Sequence, residues 1–194
     1  TNTAGRLFGS VIDPLLDDPP TDMAVVRYVR NSGLRPIRTI LVPVAGGPNS
    51  RRAVLLAVRL AQSEDDGPAK ITLLNVAPTG AGQNARSRAH HVFDYTTEGI
   101  DYDHIERRVA EGQNVADTII KQAEGYDFIV IGASEEPLFR NLLVGNVTEQ
   151  VAKSVSANTI MVKRRSGALH TVLRQTVLMP STNKIIRQDE KRSS

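Results

Sequence analysis

Asp127-Phe-Ile-Val-Ile-Gly132-Ala-Ser-Glu-Glu-Pro-Leu-Phe-Arg-Asn-Leu-Leu-Val144, followed directly by Gly145-Asn-Val-Thr148-Glu149, decides how this chain is read. A short apolar run bounded by turn residues has the character of a fully buried strand. Gly132 ends it, the excursion 133–144 follows, and Gly145 leads into a helix whose start is marked by Asn146. A tight turn beside a helix start aims backbone N–H groups and the positive end of the helix at one point, where a phosphate can sit. The stretch therefore predicts a nucleotide-binding α/β module.

The rest of the chain repeats the strand–helix rhythm on either side. Thr39-Ile-Leu-Val-Pro-Val44 reads as a buried strand, ended by Ala45-Gly46-Gly47-Pro48. Ser50 to Gln62 is helical, with Ala53, Leu56, Ala57, Leu60 and Ala61 on one face and Asn49 or Ser50 as N-cap. A second strand follows at 70–76. Residues 79–97 are polar and read as a long loop or a short, weakly specified helix. A third strand is expected at 100–109, and a helix at 114–124 with Val115, Ile119, Ile120 and Ala123 inward and Gly125 as its stop. Tyr126 to Ile131 is the fourth strand, Asn146 to Ser156 a helix, and Thr159 to Lys163 the fifth strand. Near-continuous apolar strands alternating with helices predict a doubly wound α/β fold, Rossmann-like, with five parallel strands covered on both faces. Ligands of such sheets bind beyond the carboxyl ends of the strands, where the strand order reverses. The glycine-bearing loops after the first and fourth strands both lie at carboxyl ends.

Three segments are expected: a linker or docking arm at 1–37, the nucleotide-binding-type domain at 38–165, and a basic tail at 166–194. The arm is turn-rich and acidic around Asp17-Asp-Pro-Pro-Thr-Asp22, with a short amphipathic stretch from Met23 to Val29. In the tail, Leu169, Val172, Leu173, Thr176 and Val177 stand at helical spacing within 168–179. From Lys163 onward eight basic residues face two acidic ones, while the whole chain carries +3. Such a tail fits a solvated terminus or an anionic membrane surface. Aromatic residues make up 4% and do not interleave with the basic ones, which argues against nucleic-acid binding. The absence of cysteine excludes thiolate chemistry and fits a reducing, cytoplasmic location. No apolar run approaches the roughly 20 residues that span a bilayer. The chain opens on Thr1, as a segment of a longer protein would.

Each candidate site also has an ordinary reading. Gly132 and Gly145 are turns that any α/β fold needs, but their spacing together favours a phosphate site. Asn146 and Glu149 form a capping-box pattern that would satisfy helix N–H groups by itself. No Gly-Lys-Ser/Thr follows a glycine-rich loop, so this is not a P-loop NTPase. Adjacent His90 and His91 cannot share one helix face as a metal pair would. Asp101 and Asp103 share one strand face but have no nucleophile or histidine beside them. No nucleophile–base pair is present, so catalysis is not expected and no metal site is predicted.

Ile40-Leu-Val-Pro-Val-Ala-Gly46, Ile71-Thr-Leu-Leu-Asn-Val-Ala-Pro78, Asp127-Phe-Ile-Val-Ile-Gly132 and Gly145-Asn-Val-Thr-Glu149 resemble the signature segments of the universal stress protein family. The resemblance runs from about Arg38 to Arg164. Its ATP-binding branch reads Gly, two residues, Gly, nine residues, Gly and Ser/Thr in the last region. Here Gly132 matches, Glu135 replaces the second glycine, Gly145 matches, and Asn146 replaces Ser/Thr. The branch usually has Asp where this chain has Ala45. Carried over position by position, the resemblance implies a pocket of Val44, Ala45, Gly46, Val76, Gly132, Ser134, Gly145, Asn146, Val147 and Thr148. Ala45 lacks the carboxylate acceptor for ribose or metal. Glu135 sets a negative charge where phosphate would pass, a repulsion of about 1 kcal/mol or more. The departures argue against tight ATP binding and leave AMP, another adenine nucleotide or cyclic di-AMP as the expected ligand. No obligatory cofactor is implied; magnesium would accompany the nucleotide.

The leader, with Pro14-Leu-Leu and Asp18-Pro-Pro-Thr-Asp22, followed by Pro43-Val-Ala-Gly-Gly-Pro48, is similar to universal stress protein domains fused behind membrane transporters of the amino-acid-permease type. The expected function is a cytosolic regulatory domain that binds an adenine nucleotide and modulates an attached amino-acid or ion transporter. The resemblance also implies a homodimer paired through the last strand. The alternative is a dimerisation module of the same family without a nucleotide ligand.

Overall fold

A computed structural model describes residues 11, 12, 14, 15, 19–29, 36–65, 67–133 and 147–165. Its strands are β1 (Met23–Arg27), β2 (Thr39–Pro43), β3 (Lys70–Ala77), β4 (Ile105–Glu111), β5 (Phe128–Gly132) and β6 (Asn158–Lys163). Its helices are α1 (Gly47–Gln62), α2 (Gly82–Thr97), α3 (Val115–Gln122) and α4 (Val147–Ser154). They build one sheet in the order β1-β6-β5-β2-β3-β4. β2 to β6 pair in parallel, and β1 joins antiparallel at the edge.

The alternation along each central strand divides the interior into two layers. Ile40, Val42, Ile71, Leu73 and Val130 point to one face, where Val54, Ala57 and Ala61 of α1 and Ala89 and Phe93 of α2 cover them. Leu41, Leu74, Ile129 and Ile131 point to the other, under Ile119 of α3 and Val151 of α4. Ile40, Leu41, Ile71, Leu73, Ile129 and Val130 are all fully buried, as strands covered on both faces must be.

The sequence-based expectation of a doubly wound α/β sheet holds, with six strands among the described residues instead of five. The extra strand comes from Met23–Arg27, read above as amphipathic. Its inward and outward residues alternate with period two, and a five-residue stretch is too short for periodicity alone to decide between strand and helix. β1 lies on the outer edge of β6, the strand through which the resemblance implies dimer pairing.

Other boundaries shift for identifiable reasons. Residues 82–97 form a regular helix, because Ala85, Ala89, Phe93 and Thr96 make a narrow buried stripe despite the polar composition. The third parallel strand begins at Ile105, which leaves Asp101 and Asp103 in the preceding loop and not on a strand face. Val115 is 44% exposed, so it does not join Ile119 in the core. Asn114 caps α3 by accepting the Asp117 N–H, and Gly125 ends that turn at φ 83°. The amphipathic segment 168–179 lies outside the described residues.

Candidate functional site

β2 is where the chain reverses direction across the sheet. From β2 it proceeds outward to β3 and β4, then returns to β5 on the other flank and ends at β6. The crevice of this fold therefore opens beyond the carboxyl ends of β2 and β5. Pro43-Val44-Ala45-Gly46 leaves one strand there and Gly132-Ala133 leaves the other.

On the β2 side the backbone is held firmly. Val44 is buried; its N–H donates to the Leu74 carbonyl at 2.8 Å and its carbonyl accepts from Asn75 Nδ2 at 2.8 Å. Ala45 is exposed on the rim, and its N–H donates to Ser50 Oγ at 3.4 Å. Gly46 and Gly47 follow with φ of 94° and 78°, two successive left-handed residues that only glycine adopts at little cost. Gly46 is the N-cap of α1, with no side-chain cap and no acidic residue in the first turn. Neither Asn49 nor Ser50 caps the helix, because the left-handed glycine pair starts it three residues earlier than the apolar stripe indicates.

Asn49 instead reaches across the sheet. Its Nδ2 donates to the Ala133 carbonyl at 2.6 Å, and its Oδ1 accepts from the Arg164 N–H at 2.8 Å. One buried amide thus ties the start of α1 to the exits of both β5 and β6. Gly132 lies against the same turn. A Cβ on it would stand 2.7 Å from the Asn49 carbonyl carbon and 3.0 Å from the Ser50 nitrogen. Its carbonyl accepts from Thr148 Oγ1 at 3.3 Å, which draws the first turn of α4 onto the end of β5.

Of the residues expected at the site, Val44, Ala45, Gly46 and Gly132 lie at the carboxyl ends of the neighbouring strands β2 and β5, and Thr148 is tethered there through the Gly132 carbonyl. Thr148 is buried and Val147 packs against the core layer beneath α4. Val76 belongs to the same layer as Val147, not to that of Val44, so it borders the crevice from the other face of the sheet. Ser134, Gly145 and Asn146 lie outside the described residues, as does the Asn146 half of the expected capping box. Asn49 and Asn75 were not singled out as site residues. The signal for Asn75 was a lone amide in the apolar run Ile71-Thr-Leu-Leu-Asn-Val; for Asn49 there was none beyond its place near a helix start.

Perturbed titration falls at the opposite end of the sheet. The Glu106 carboxyl is held below its usual range by hydrogen bonds from Lys70 and Arg108, and the Arg108 guanidinium is raised by the same contact with Glu106. Burial raises the Tyr102 phenol, whose hydroxyl donates to the Ala69 carbonyl. A depression of about 150 Å³ between Thr39, Lys70, Thr72 and Tyr126 lies at that amino-terminal end too. His90 and His91 are both exposed on α2. Among the described residues no group of His, Cys, Asp or Glu could hold a metal ion. No helix among them is long and apolar enough to cross a membrane.

A doubly wound sheet, parallel but for its edge strand β1, with glycines at the strand exits beside its point of reversal, defines a Rossmann-like α/β domain. Residues 36–163 match the universal stress protein family, and the chain belongs to that family. Among solved structures, it is similar to a universal stress protein in complex with cAMP, at 22% identity and a TM-score of 0.53 over 66% of this chain and 98% of that one. A universal stress protein from Archaeoglobus fulgidus DSM 4304 gives 19% identity and a TM-score of 0.55 over 82% of this chain and 56% of that one. A putative universal stress protein from Pseudomonas aeruginosa UCBPP-PA14 gives 17% identity and 0.54, covering 84% and 60%. This chain thus spans little more than half of those two longer proteins. At these identities the likeness establishes the fold. No curated protein matches the chain significantly.

Proposed function

We propose that this chain is a regulatory domain that binds an adenine nucleotide in the β2–β5 crevice and modulates an attached membrane transporter of the amino-acid or ion type. The observation that carries the ligand reading is the exit of β2. Exposed Ala45 and Gly47 set backbone without bulky side chains at the rim of the uncapped start of α1, where a ligand could meet it before the buried Asn49 and Ser50. The related protein in complex with cAMP supports an adenine nucleotide as the ligand class. Magnesium would enter with a polyphosphate, since the described residues around Ala45 bring no carboxylate to hold it. The domain carries out no catalysis in this reading. It acts at the cytoplasmic face of a membrane, and binding biases its packing against the transporter by the ligand's differential affinity for the two states. The arm around Asp17–Asp22 and the basic tail support the attachment.

Calorimetric titration of the purified domain with ATP, AMP, cAMP and cyclic di-AMP, magnesium present, tests the ligand reading. Saturable binding of one of them that Gly145→Glu abolishes in a folded protein is the expected result. Binding that survives Gly145→Glu unchanged places the cradle elsewhere. The second reading is a dimerisation module without a ligand. It is favoured by the Gly132–Asn49 contact, since packing alone accounts for that glycine. No heat and no thermal shift with any nucleotide, on folded protein, would favour it over the ligand reading.

A further inference from the structure

β6 has neighbours on both sides, and the direction of its peptide groups can be read from two bonds. The Ala133 N–H donates to the Val162 carbonyl at 2.7 Å, and the Asn158 N–H donates to the Asp127 carbonyl at 3.2 Å. Asn158 and Val162 therefore turn their backbones toward β5. Successive residues of a strand turn theirs to opposite sides, so Thr159, Met161 and Lys163 face β1. Their partners in register are Arg27, Val25 and Met23. The Val29 N–H, donated to Asn158 Oδ1 at 3.0 Å, continues that inward series. Ala24 and Val26 turn their peptide groups outward.

β1 is fastened at both ends by other parts of the domain. Asp22 accepts from the Arg165 N–H at 2.9 Å and pairs with Arg52 Nε at 3.2 Å. Arg27 Nη1 donates to the Val155 carbonyl at 3.4 Å, and the Tyr28 ring meets Phe128 edge-on at 6.3 Å. Beneath this strap every residue of β6 is buried. Without β1, Thr159-Ile-Met-Val would be an apolar open edge, a template for another strand. The opposite edge, β4, is blunted by Glu106, Arg107, Arg108 and Glu111. A copy of β6 related by a twofold axis would arrive antiparallel, in the sense that β1 already takes. β1 also ends its apolar run on a cation, Val25-Val-Arg27, as β6 does in Met161-Val-Lys163.

We propose that β1 is an intramolecular cover that competes with a second copy of this chain for the edge of β6, so that pairing through β6 requires β1 to leave.

Two prolines on the whole chain separate the alternatives. Val25→Pro removes an N–H that faces β6, whereas Val26→Pro removes one that faces outward, a position edge strands tolerate. In sedimentation velocity the wild type and Val26→Pro stay monomeric, and Val25→Pro becomes a concentration-dependent dimer. A peptide of residues 21–29 added in excess returns Val25→Pro to monomer. Hydrogen exchange at the Thr159, Met161 and Lys163 amides is roughly tenfold or more faster in dilute Val25→Pro and slows again as it dimerises. If circular dichroism shows Val25→Pro unfolded, the Asp22→Ala, Arg27→Ala double variant, which leaves the ladder itself intact, is read by the same dimer and exchange measurements. A variant whose β6 amides open without any dimer overturns the proposal. So does a wild type already dimeric, whether or not Val26→Pro dissolves it.

Discussion

Gly132 approaches Asn49 so closely that any side chain at 132 would collide with backbone, 2.7 Å from the Asn49 carbonyl carbon and 2.8 Å from its oxygen. The amide side chain of the same Asn49 closes over the next residue, Ala133. The end of β5 and the start of α1 are therefore one unit.

Gly132→Ala should lower stability by about 1–3 kcal/mol, because the obstructing atoms are main chain and cannot rotate away. The gain of roughly 0.4–1 kcal/mol expected from stiffening the unfolded chain is smaller, so the clash wins. Thermal and urea denaturation read the loss; an unchanged midpoint would contradict the packing described.

Asn49→Ala leaves the Ala133 carbonyl and the Arg164 N–H without the partner that joins them. The expected cost is about 1–3 kcal/mol, since Asn49 is 5% exposed and water replaces it poorly. Hydrogen exchange should show the Arg164 amide opening first, well before the β2–β3 amides. Uniform exchange across the sheet would argue against a local tie.

Glu106 stands 2.6 Å from Lys70 Nζ and 2.9 Å from Arg108 Nη2, which holds its carboxyl below the usual range. A depressed folded value means stability that is fully present above the unfolded-state pKa and is lost as pH falls through the folded one. Glu106→Gln should therefore match the wild type at strongly acid pH and fall behind it toward neutrality. The difference is about 0.5 kcal/mol or less, because all three side chains are more than a third exposed. Denaturation midpoints across the acid range decide it.

Ala45→Asp restores a carboxylate at an exposed rim position that has room for it. If the β2–β5 crevice holds a nucleotide, one added charged acceptor should tighten a ribose- or magnesium-bearing ligand by about 1.5 kcal/mol, or roughly tenfold. Calorimetry on both proteins compares the affinities. An unaltered affinity, with the fold intact, would place the ligand away from the end of β2.

The apolar runs at 39–44, 70–76, 126–131 and 159–163 stood out in the sequence because a strand buried on both faces allows no polar alternation. The glycines punctuating them were equally legible, so the parallel core of the sheet followed, with glycine-bearing loops at its carboxyl ends. α2 was hidden because a helix needing only Ala85, Ala89 and Phe93 inward resembles polar loop in composition. β1 was hidden because an edge strand is defined by the neighbour it joins, here β6, which lies more than a hundred residues away in sequence.

Local pattern thus determined the doubly wound alternation of elements and the glycines at the strand exits, and the resemblance of four short segments pointed to the family, since these depend on short-range chemistry along the chain. Tertiary structure alone decided that Asn49 ties β5 to β6, that Gly132 is required by the backbone of α1, and that residues 23–27 cover the last strand. Each of these is a contact between distant segments, and such contacts leave no period in the sequence from which to read them.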